Sequence, residues 1–143
     1  MIRELHIKDL NQNYFDLLCQ LSGEKKSITN DIRNDCWAEY YHNPHHTTFV
    51  YENNGHVVGT ASVLIENKML HHGSSIGHVE DVVVDADNRL SGVGKKLIEK
   101  CLSFCEELKC YKVILDCSEK NVSFYESCGF HMSGNCMRRM YKH

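Results

Sequence analysis

Residues 89–94, Arg-Leu-Ser-Gly-Val-Gly, have the types and spacing to bind an anion. They follow a strand-like run, residues 79–84, and open a segment with helical spacing. The first N–H groups of a helix lack intrahelical partners, and the helix dipole adds positive potential there. Glycine at 92 and 94 would let a ligand approach the backbone closely, although Gly-x-Gly at a helix start also fits a tight turn or close packing alone.

Two nucleotide-binding motifs do not fit this segment. A P-loop would need Gly where Arg89 stands and Ser or Thr where Lys96 stands. The dinucleotide fingerprint needs a third glycine and an early position in a βαβ unit. What remains is Arg-x-x-Gly-x-Gly, and in this pattern the chain resembles the GNAT superfamily of acetyltransferases. The resemblance implies that this turn binds the pyrophosphate of acetyl-CoA.

The elements that must position these residues follow from hydrophobic spacing and turn signals. Asp9 is expected to cap the first helix and Ser118 the short helix near the end of the chain, the second helix is expected to begin at Thr29, and Asn53-Asn54-Gly55 predicts a hairpin. The predicted elements are a strand at 3–8, helices at about 9–22 and 29–41, strands at 47–52, 56–66 and 76–84, a helix at 92–108, a strand at 111–117, a short helix after Ser118 and a last strand near 130–140.

This order, βααβββαβαβ, predicts one α/β domain over residues 1–143 with a mixed, mostly antiparallel sheet flanked by helices. It agrees with the GNAT fold. A chain of 143 residues can bury roughly 68–70% of the surface of its unfolded form, which is enough for a core without metals or disulfides.

Composition excludes several classes of protein. The net charge of −3 gives no global attraction to nucleic acid, and no apolar run approaches the roughly 20 residues of a membrane span. Eight cysteines occur without a CxxC pair or a signal peptide, so we expect reduced thiols and a cytoplasmic protein. Ten histidines include His45-His46 and His71-His72, but neighbours on an extended segment point apart and no zinc spacing follows, so no metal is expected.

Three further segments narrow the resemblance. Residues 77–84, 110–117 and 119–126 are together similar to the GNAT enzymes that acetylate glucosamine 6-phosphate. The resemblance implies direct transfer of the acetyl group of acetyl-CoA to the 2-amine of that amino sugar phosphate. The product would be N-acetylglucosamine 6-phosphate, on the route to UDP-N-acetylglucosamine. It also implies a homodimer whose active sites are completed across the interface.

For acetyl-CoA, the resemblance implies main-chain contacts along one strand and a pyrophosphate cradle after it. A strand splayed from its neighbour would leave N–H and C=O groups free for the pantetheine arm. Asn121 either contacts this arm or caps the short helix. The expected cofactor-binding residues are Asp81, Val82, Val83, Arg89, Leu90, Ser91, Gly92, Val93, Gly94, Asn121, Phe124 and Tyr125.

Direct transfer needs a neutral, oriented amine, N–H donors for the oxyanion and a partner for the thiolate. Glu80 and Asp81 are adjacent carboxylates in an apolar strand, where alternation predicts that they point to opposite faces. The expected catalytic groups are Glu80 as a base acting through water, the Asp116 main chain for the amine, the Val82 N–H for the oxyanion and the Tyr125 hydroxyl for sulfur. A covalent route through Cys117 lacks an adjacent activating group.

A phosphate calls for cations, and the candidates are Lys68, Lys112 and Arg139, with Arg138 as the alternative to Arg139. By resemblance, Tyr111 and Lys112 come from the second subunit. The expected substrate-binding residues are Ser22, Lys68, Met69, Leu70, Val79, Glu80, Asp81, Tyr111, Lys112 and Arg139.

Two other functions compete with this one. A GNAT enzyme could act on another amine, such as a peptide, a lysine or a polyamine. A non-catalytic acyl-CoA sensor would keep residues 89–94 but would not need Tyr125 or the paired carboxylates.

Overall fold

One mixed sheet of five strands organises the protein, as a computed structural model describes it over residues 1–25 and 27–143. The strand order is β1-β2-β3-β4-β5, antiparallel from β1 to β4 and parallel between β4 and β5. The strands are β1 (Ile2–Glu4), β2 (His46–Asn53), β3 (His56–Asn67), β4 (Ser75–Val84) and β5 (Lys112–Ile114). Asn54 and Gly55, both at positive φ, close the predicted hairpin between β2 and β3.

Helical segments connect and cover these strands. They are α1 (Gln12–Ser22), α2 (Asn30–Tyr41), the four-residue turn α3 (Leu70–Gly73), α4 (Val93–Glu107) and α5 (Val122–Ser127), with 3-10 turns at Ile7–Asp9, Ala86–Ser91 and Glu119–Asn121. α2 starts one residue after the predicted start at Thr29, and Thr29 caps it, since its hydroxyl accepts a hydrogen bond from the Ile32 N–H. In α3, His71 and His72 have left-handed backbone angles, so this segment is a turn rather than a regular helix.

The two faces of the sheet differ in polarity. α4 covers an apolar face, where Leu97, Ile98 and Cys101 pack on Phe49 and Val63, and all five are almost completely buried. α1 covers the other face, where the buried residues include hydroxyls as well as apolar side chains: Tyr14, Thr48, Val50, Thr60 and Ser62. The apolar face therefore supplies most of the core, and the second face can hold polar groups.

The predicted cap at Asp9 is wrong. Asn11 caps α1, and its side chain accepts a hydrogen bond from the Tyr14 N–H. Asp9 instead closes the preceding 3-10 turn, where its carboxylate accepts from the His6 N–H and from both terminal nitrogens of Arg3 at 2.8 Å. The carboxylate turns away from α1 because Arg3 of β1 offers it a bidentate partner.

The predicted last strand is also wrong, as is the Ser118 side-chain cap. Residues 130–140 form no strand within the described part of the chain, and Met132, Met137 and Met140 are exposed. β5 is only three residues long, so the sheet offers a following segment little edge to pair with. Ser118 precedes the third 3-10 turn without a side-chain capping bond.

The Arg3–Asp9 pair predicts a pH-dependent contribution to stability. Burial alone would raise the pKa of Asp9, but the hydrogen bonds from Arg3 and the His6 N–H outweigh it and lower this pKa below 3.8. The stabilisation is then complete above about pH 4 and disappears as pH falls through the lowered pKa. We expect Asp9→Asn to lower the free energy of unfolding by about 2 kcal/mol at neutral pH.

Urea unfolding of both proteins between pH 3 and pH 7 checks this expectation. The gap between wild type and Asp9→Asn should narrow on the acid side, and Asp35→Asn, at an exposed position of α2, should show no such gap. A constant gap across this range would contradict the assignment.

Candidate active site

A cleft opens where β4 and β5 separate. The two strands pair only between residues 76–78 and Lys112–Ile114, and β4 then continues to Val84 along β3 alone. The backbone of β4 beyond His78 therefore faces the cleft, as a splayed strand would. The cleft has a volume of about 800 Å³ and is lined by Gln20, Leu21, residues 79–84, Arg89, residues 115–118, Lys120, Asn121, Tyr125 and Arg138.

A β-bulge in β4 sets the floor of this cleft. Ser62 pairs with Glu80 and Thr60 pairs with Val83, so Asp81 and Val82 together face the single residue between them on β3. Asp81 has a φ of 51°, a left-handed conformation that aspartate tolerates better than most residues.

The bulge places both carboxylates on the same face of the sheet. Glu80 lies directly opposite Ser62, and directly opposed residues share a face. Asp81 acts electrostatically on Tyr14 and His46, which lie on that same face, covered by α1. The expectation of opposite faces is therefore wrong, because the extra residue breaks the alternation on which it depended.

The turn before α4 has the features of an anion cradle. α4 begins after Gly92 without a side-chain cap, so no side chain occupies the first N–H groups of the helix. The Arg89 side chain is held beside the end of β4, since its Nε donates to the Val84 carbonyl at 3.2 Å. The Ser91 hydroxyl donates to the Asn88 carbonyl at 2.6 Å and closes the turn. The side chain of Leu90 lies outside the described part of the structure.

The two glycines of the turn have different roles. Gly92 has a φ of 76°, and a Cβ there would meet nothing within 4 Å, which leaves space beside the backbone. A Cβ at Gly94 would lie 3.3 Å from Cζ of Phe124, so this glycine allows α5 to pack against α4. The sequence left two alternatives for these glycines. Gly92 leaves room for a ligand beside the backbone, and Gly94 allows close packing of two helices.

Tyr125 lines the opposite wall of the cleft and is half-buried. Its ring makes edge contacts with Phe124 and Phe130, with centroids 5.0 and 6.0 Å apart. Burial raises the pKa of Tyr125 to about 12, with the neighbouring Cys117 adding to the shift, so the phenol keeps its proton at neutral pH. Tyr125 can therefore donate a hydrogen bond into the cleft.

Other expected residues line the same wall. Asn121 lines the cleft and makes no capping bond to α5, so the capping alternative is not observed. Asp116 lines the cleft, and its carboxylate accepts a hydrogen bond from the Cys136 thiol at 3.3 Å.

The expected phosphate ligands lie in a second group outside the cleft, at the paired end of β4 and β5. Lys68 forms an ion pair with Glu66 at 3.1 Å. Lys112 lies over the Tyr111 ring at 5.6 Å, and that ring contacts His71. Met69 and Leu70 are exposed beside them.

The remaining expected substrate-binding residues are Ser22 and either Arg139 or its alternative, Arg138. Ser22 lines a small apolar pocket between α1 and α2 rather than the cleft. Arg138 lines the cleft, whereas Arg139 lies over the Tyr141 ring at 5.5 Å. The geometry within one chain thus favours Arg138 over Arg139.

Sequence reasoning missed Gln20. Its amide donates to Asp85 and accepts from the Ala86 N–H, and these bonds tie α1 to the turn that leads to Arg89. In the sequence, Gln20 is one polar position of an amphipathic helix, and the pattern does not distinguish it from the residues that face solvent. Lys120 was missed for the same reason, as a charge in a short polar stretch.

Comparisons with known proteins identify the family of the chain. The family model "Acetyltransferase (GNAT) family" matches residues 10–130. The chain therefore belongs to the GNAT family of acetyltransferases. Within that family, it is similar over most of its length to several proteins named glucosamine 6-phosphate N-acetyltransferase.

One of these relatives, from Arabidopsis thaliana, is 40% identical over 131 residues, which cover 90% of this chain and 87% of the relative. Another, from Candida albicans, is 30% identical over 138 residues, covering 92% and 89%. The crystal structure of glucosamine-6-phosphate N-acetyltransferase from Arabidopsis thaliana superposes with a TM-score of 0.92, at 37% identity, over 99% of this chain and 98% of that one.

The described residues contain neither a membrane-spanning helix nor a metal-binding cluster. No described helix is both long and apolar enough to cross a membrane. No group of three or more described His, Cys, Asp or Glu side chains is arranged to hold a metal ion.

The position of Arg89 beside the uncapped start of α4 predicts a selective effect on CoA binding. We expect Arg89→Gln to raise the Kd for CoA about tenfold, because a charge-assisted bond to the pyrophosphate is lost. Binding of pantetheine, which has no pyrophosphate, should stay unchanged. Calorimetric titration of both ligands measures the difference.

Lys109→Gln is the matched control, since it removes a cation just beyond the other end of α4 and should affect neither ligand. An equal loss for CoA and pantetheine in Arg89→Gln would place the guanidinium away from the pyrophosphate.

Proposed function

We propose that this protein transfers the acetyl group of acetyl-CoA to the 2-amine of glucosamine 6-phosphate, giving N-acetylglucosamine 6-phosphate and CoA. The observation that carries the proposal is the cleft between β4 and β5, which brings two carboxylates, a neutral phenol and an anion cradle together. Similarity to enzymes of that name over nine-tenths of the chain supports the choice of substrate. The pathway to UDP-N-acetylglucosamine belongs to the same proposal, as does a cytoplasmic location, which eight free thiols support.

The cleft fits acetyl-CoA as an extended ligand. The unpaired edge of β4 offers main-chain N–H and C=O groups to the amides of the pantetheine arm, in the manner of an added strand. At the end of β4, the uncapped start of α4 and the Arg89 side chain offer donors to the pyrophosphate. Asp81–Val83, residues 89–94, Asn121, Phe124 and Tyr125 are the proposed contacts.

The chemistry assigns one task to each group around the reacting carbonyl. The Asp116 main chain orients the amine, and Glu80 accepts the proton that the amine loses as its nitrogen bonds to the acetyl carbon. The Val82 N–H donates to the developing oxyanion. Tyr125 donates to the sulfur as the carbon–sulfur bond breaks, and its raised pKa keeps that proton available at neutral pH.

A homodimer would bring the second group of residues to a cleft. Lys68, Met69, Leu70, Tyr111 and Lys112 are too far along the sheet to line the cleft of their own chain, and they share that edge with exposed apolar side chains. The exposed methionines of the tail after Phe130 add further apolar surface. We propose that this edge serves the site of a second copy, where Lys112 meets the sugar phosphate.

Sedimentation equilibrium checks the oligomeric state. We expect a mass of two chains at micromolar concentration, and Leu70→Glu should shift the protein towards the monomer and raise the KM for glucosamine 6-phosphate. A monomeric wild type that turns over normally would contradict the shared site.

The proposed reaction predicts a sharp substrate preference. We expect CoA release from acetyl-CoA with glucosamine 6-phosphate and at least 100-fold less with glucosamine, a lysine peptide or spermidine, since the phosphate supplies charge-assisted bonds that each of these lacks. A thiol reagent that reports free CoA measures all four rates. Preference for the peptide or the polyamine would support a different amine, and no release with any amine would support an acyl-CoA sensor.

Tyr125→Phe is the matched variant for this assay. The substitution keeps the ring contacts with Phe124 and Phe130 and removes only the hydroxyl. Its kcat should fall by about 10- to 100-fold with little change in the KM for acetyl-CoA, as expected for an interaction made in the transition state. An unchanged kcat would leave Tyr125 as a packing residue.

A further inference from the structure

A row of polar side chains crosses three strands on the face that carries Glu80. Thr48 of β2 pairs with Ser62 of β3, and Ser62 pairs with Glu80 of β4, so the three side chains share one face. The Thr48 and Ser62 hydroxyl oxygens are 2.7 Å apart, and the two residues are only 3% and 6% exposed. At the far end, Nε2 of His46 lies 3.4 Å from the Thr48 hydroxyl oxygen.

This row runs from Ser62, opposite Glu80 at the floor of the cleft, to a half-buried imidazole. Each hydroxyl can donate one hydrogen bond while it accepts another, so the two can pass a proton along the row. Burial lowers the pKa of His46, and Asp81 opposes the shift only in part, so the ring is neutral at neutral pH and Nε2 can accept. Tyr40 holds this end in place, since its hydroxyl accepts from the Thr48 N–H at 2.9 Å and its ring packs edge-on against His46.

We propose that Ser62 and Thr48 relay the proton of the substrate amine from Glu80 to His46, which releases it to solvent. The inference rests on the proposed acetyl transfer to an amine and gives the amine proton a route away from the cleft, along the face covered by α1. His46, Thr48 and Ser62 act through Glu80 and do not touch the reacting atoms.

The relay conserves protons at every step. Glu80 accepts the amine proton, directly or through one water, and passes a proton through a bridging water to the Ser62 oxygen. The Ser62 O–H proton moves to the Thr48 oxygen, and the Thr48 O–H proton moves to Nε2 of His46. The imidazolium then loses its Nδ1 proton to solvent. Glu80 returns to the carboxylate, both hydroxyls keep one proton each, and exchange with solvent restores the Nδ1–H tautomer.

Several titratable groups surround His46 and bear on its charge. Asp81 faces it from β4 and favours the protonated ring. Tyr40 contacts it from α2, and Tyr14 of α1 lies on the same face. His78 lies beyond Leu64 in the same row and is bonded to Glu66 at 2.9 Å, which is a separate pair.

A neighbouring hydroxyl provides the matched control. Thr60 is two residues from Ser62 on β3, on the same face, and is 1% exposed. Its hydroxyl donates to the Phe49 carbonyl at 2.9 Å and lies 3.3 Å from the Tyr14 hydroxyl, so it belongs to another row. Thr60→Val thus removes an equally buried hydroxyl without interrupting the route to His46.

The test compares kcat for glucosamine 6-phosphate at saturation in five variants. Thr48→Val, Ser62→Ala and His46→Gln should each lower kcat by about 10- to 100-fold with both KM values little changed. Thr48→Ser, which restores the hydroxyl, and Thr60→Val should keep the wild-type kcat. Equal losses in Thr48→Ser and Thr48→Val, or in Thr60→Val, would show a packing effect and overturn the relay.

The pH profile separates a relay from a role in positioning. Protonation of His46 blocks the acceptor, so the wild-type kcat should fall on the acid side with the pKa of this ring. This acid-side fall of kcat should vanish in Thr48→Val, where no hydroxyl links His46 to Ser62. An acid-side fall that persists unchanged in Thr48→Val and His46→Gln would overturn the relay.

A measurement without substrate tests the relay independently of the proposed function. Nitrogen-15 shifts of the wild-type histidines should show His46 as the Nδ1–H tautomer at neutral pH. A protonated Nε2 in the resting protein would overturn the relay even if glucosamine 6-phosphate is acetylated. Failure of wild type to acetylate that sugar would reject the proposed function, and with it the relay.

Discussion

The separation of β4 from β5 is the constraint on which the rest of the site depends. β4 pairs with both neighbours only up to His78. The parallel ladder to β5 ends there, while the antiparallel ladder to β3 continues. Backbone groups left without a strand partner must find water or a ligand. The sheet therefore has an unpaired strand edge between β4 and β5, and the backbone alone forms the cleft there.

The bulge at Asp81 changes which side chains line this edge. In a regular strand, one of two successive carboxylates would point into the apolar layer under α4, where an unpaired charge is strongly destabilising. One extra residue at positive φ lets Glu80 and Asp81 share the polar face instead. The local strain at Asp81 is small compared with the cost of burying that charge.

The sequence contained enough information for the order of the elements along the chain up to the short helix after β5 and for the turn before α4. Asn54-Gly55 and the stripe of α4 are local signals, and both are confirmed. The bulge has no such signal, because Val-Glu-Asp-Val-Val-Val has the composition of an uninterrupted strand. The cap at Asn11 was missed because the sequence does not show that Arg3 of β1 binds the carboxylate of Asp9.

The tail and the row of hydroxyls were beyond sequence reasoning for a related reason. The apolar pattern at residues 130–140 predicts a strand, but pairing needs an edge, and within this chain β5 offers three residues. Thr48 and Ser62 are separated by 13 intervening residues and become neighbours only through the register that the hairpin sets. A register shifted by one residue would place the two side chains on opposite faces of the sheet.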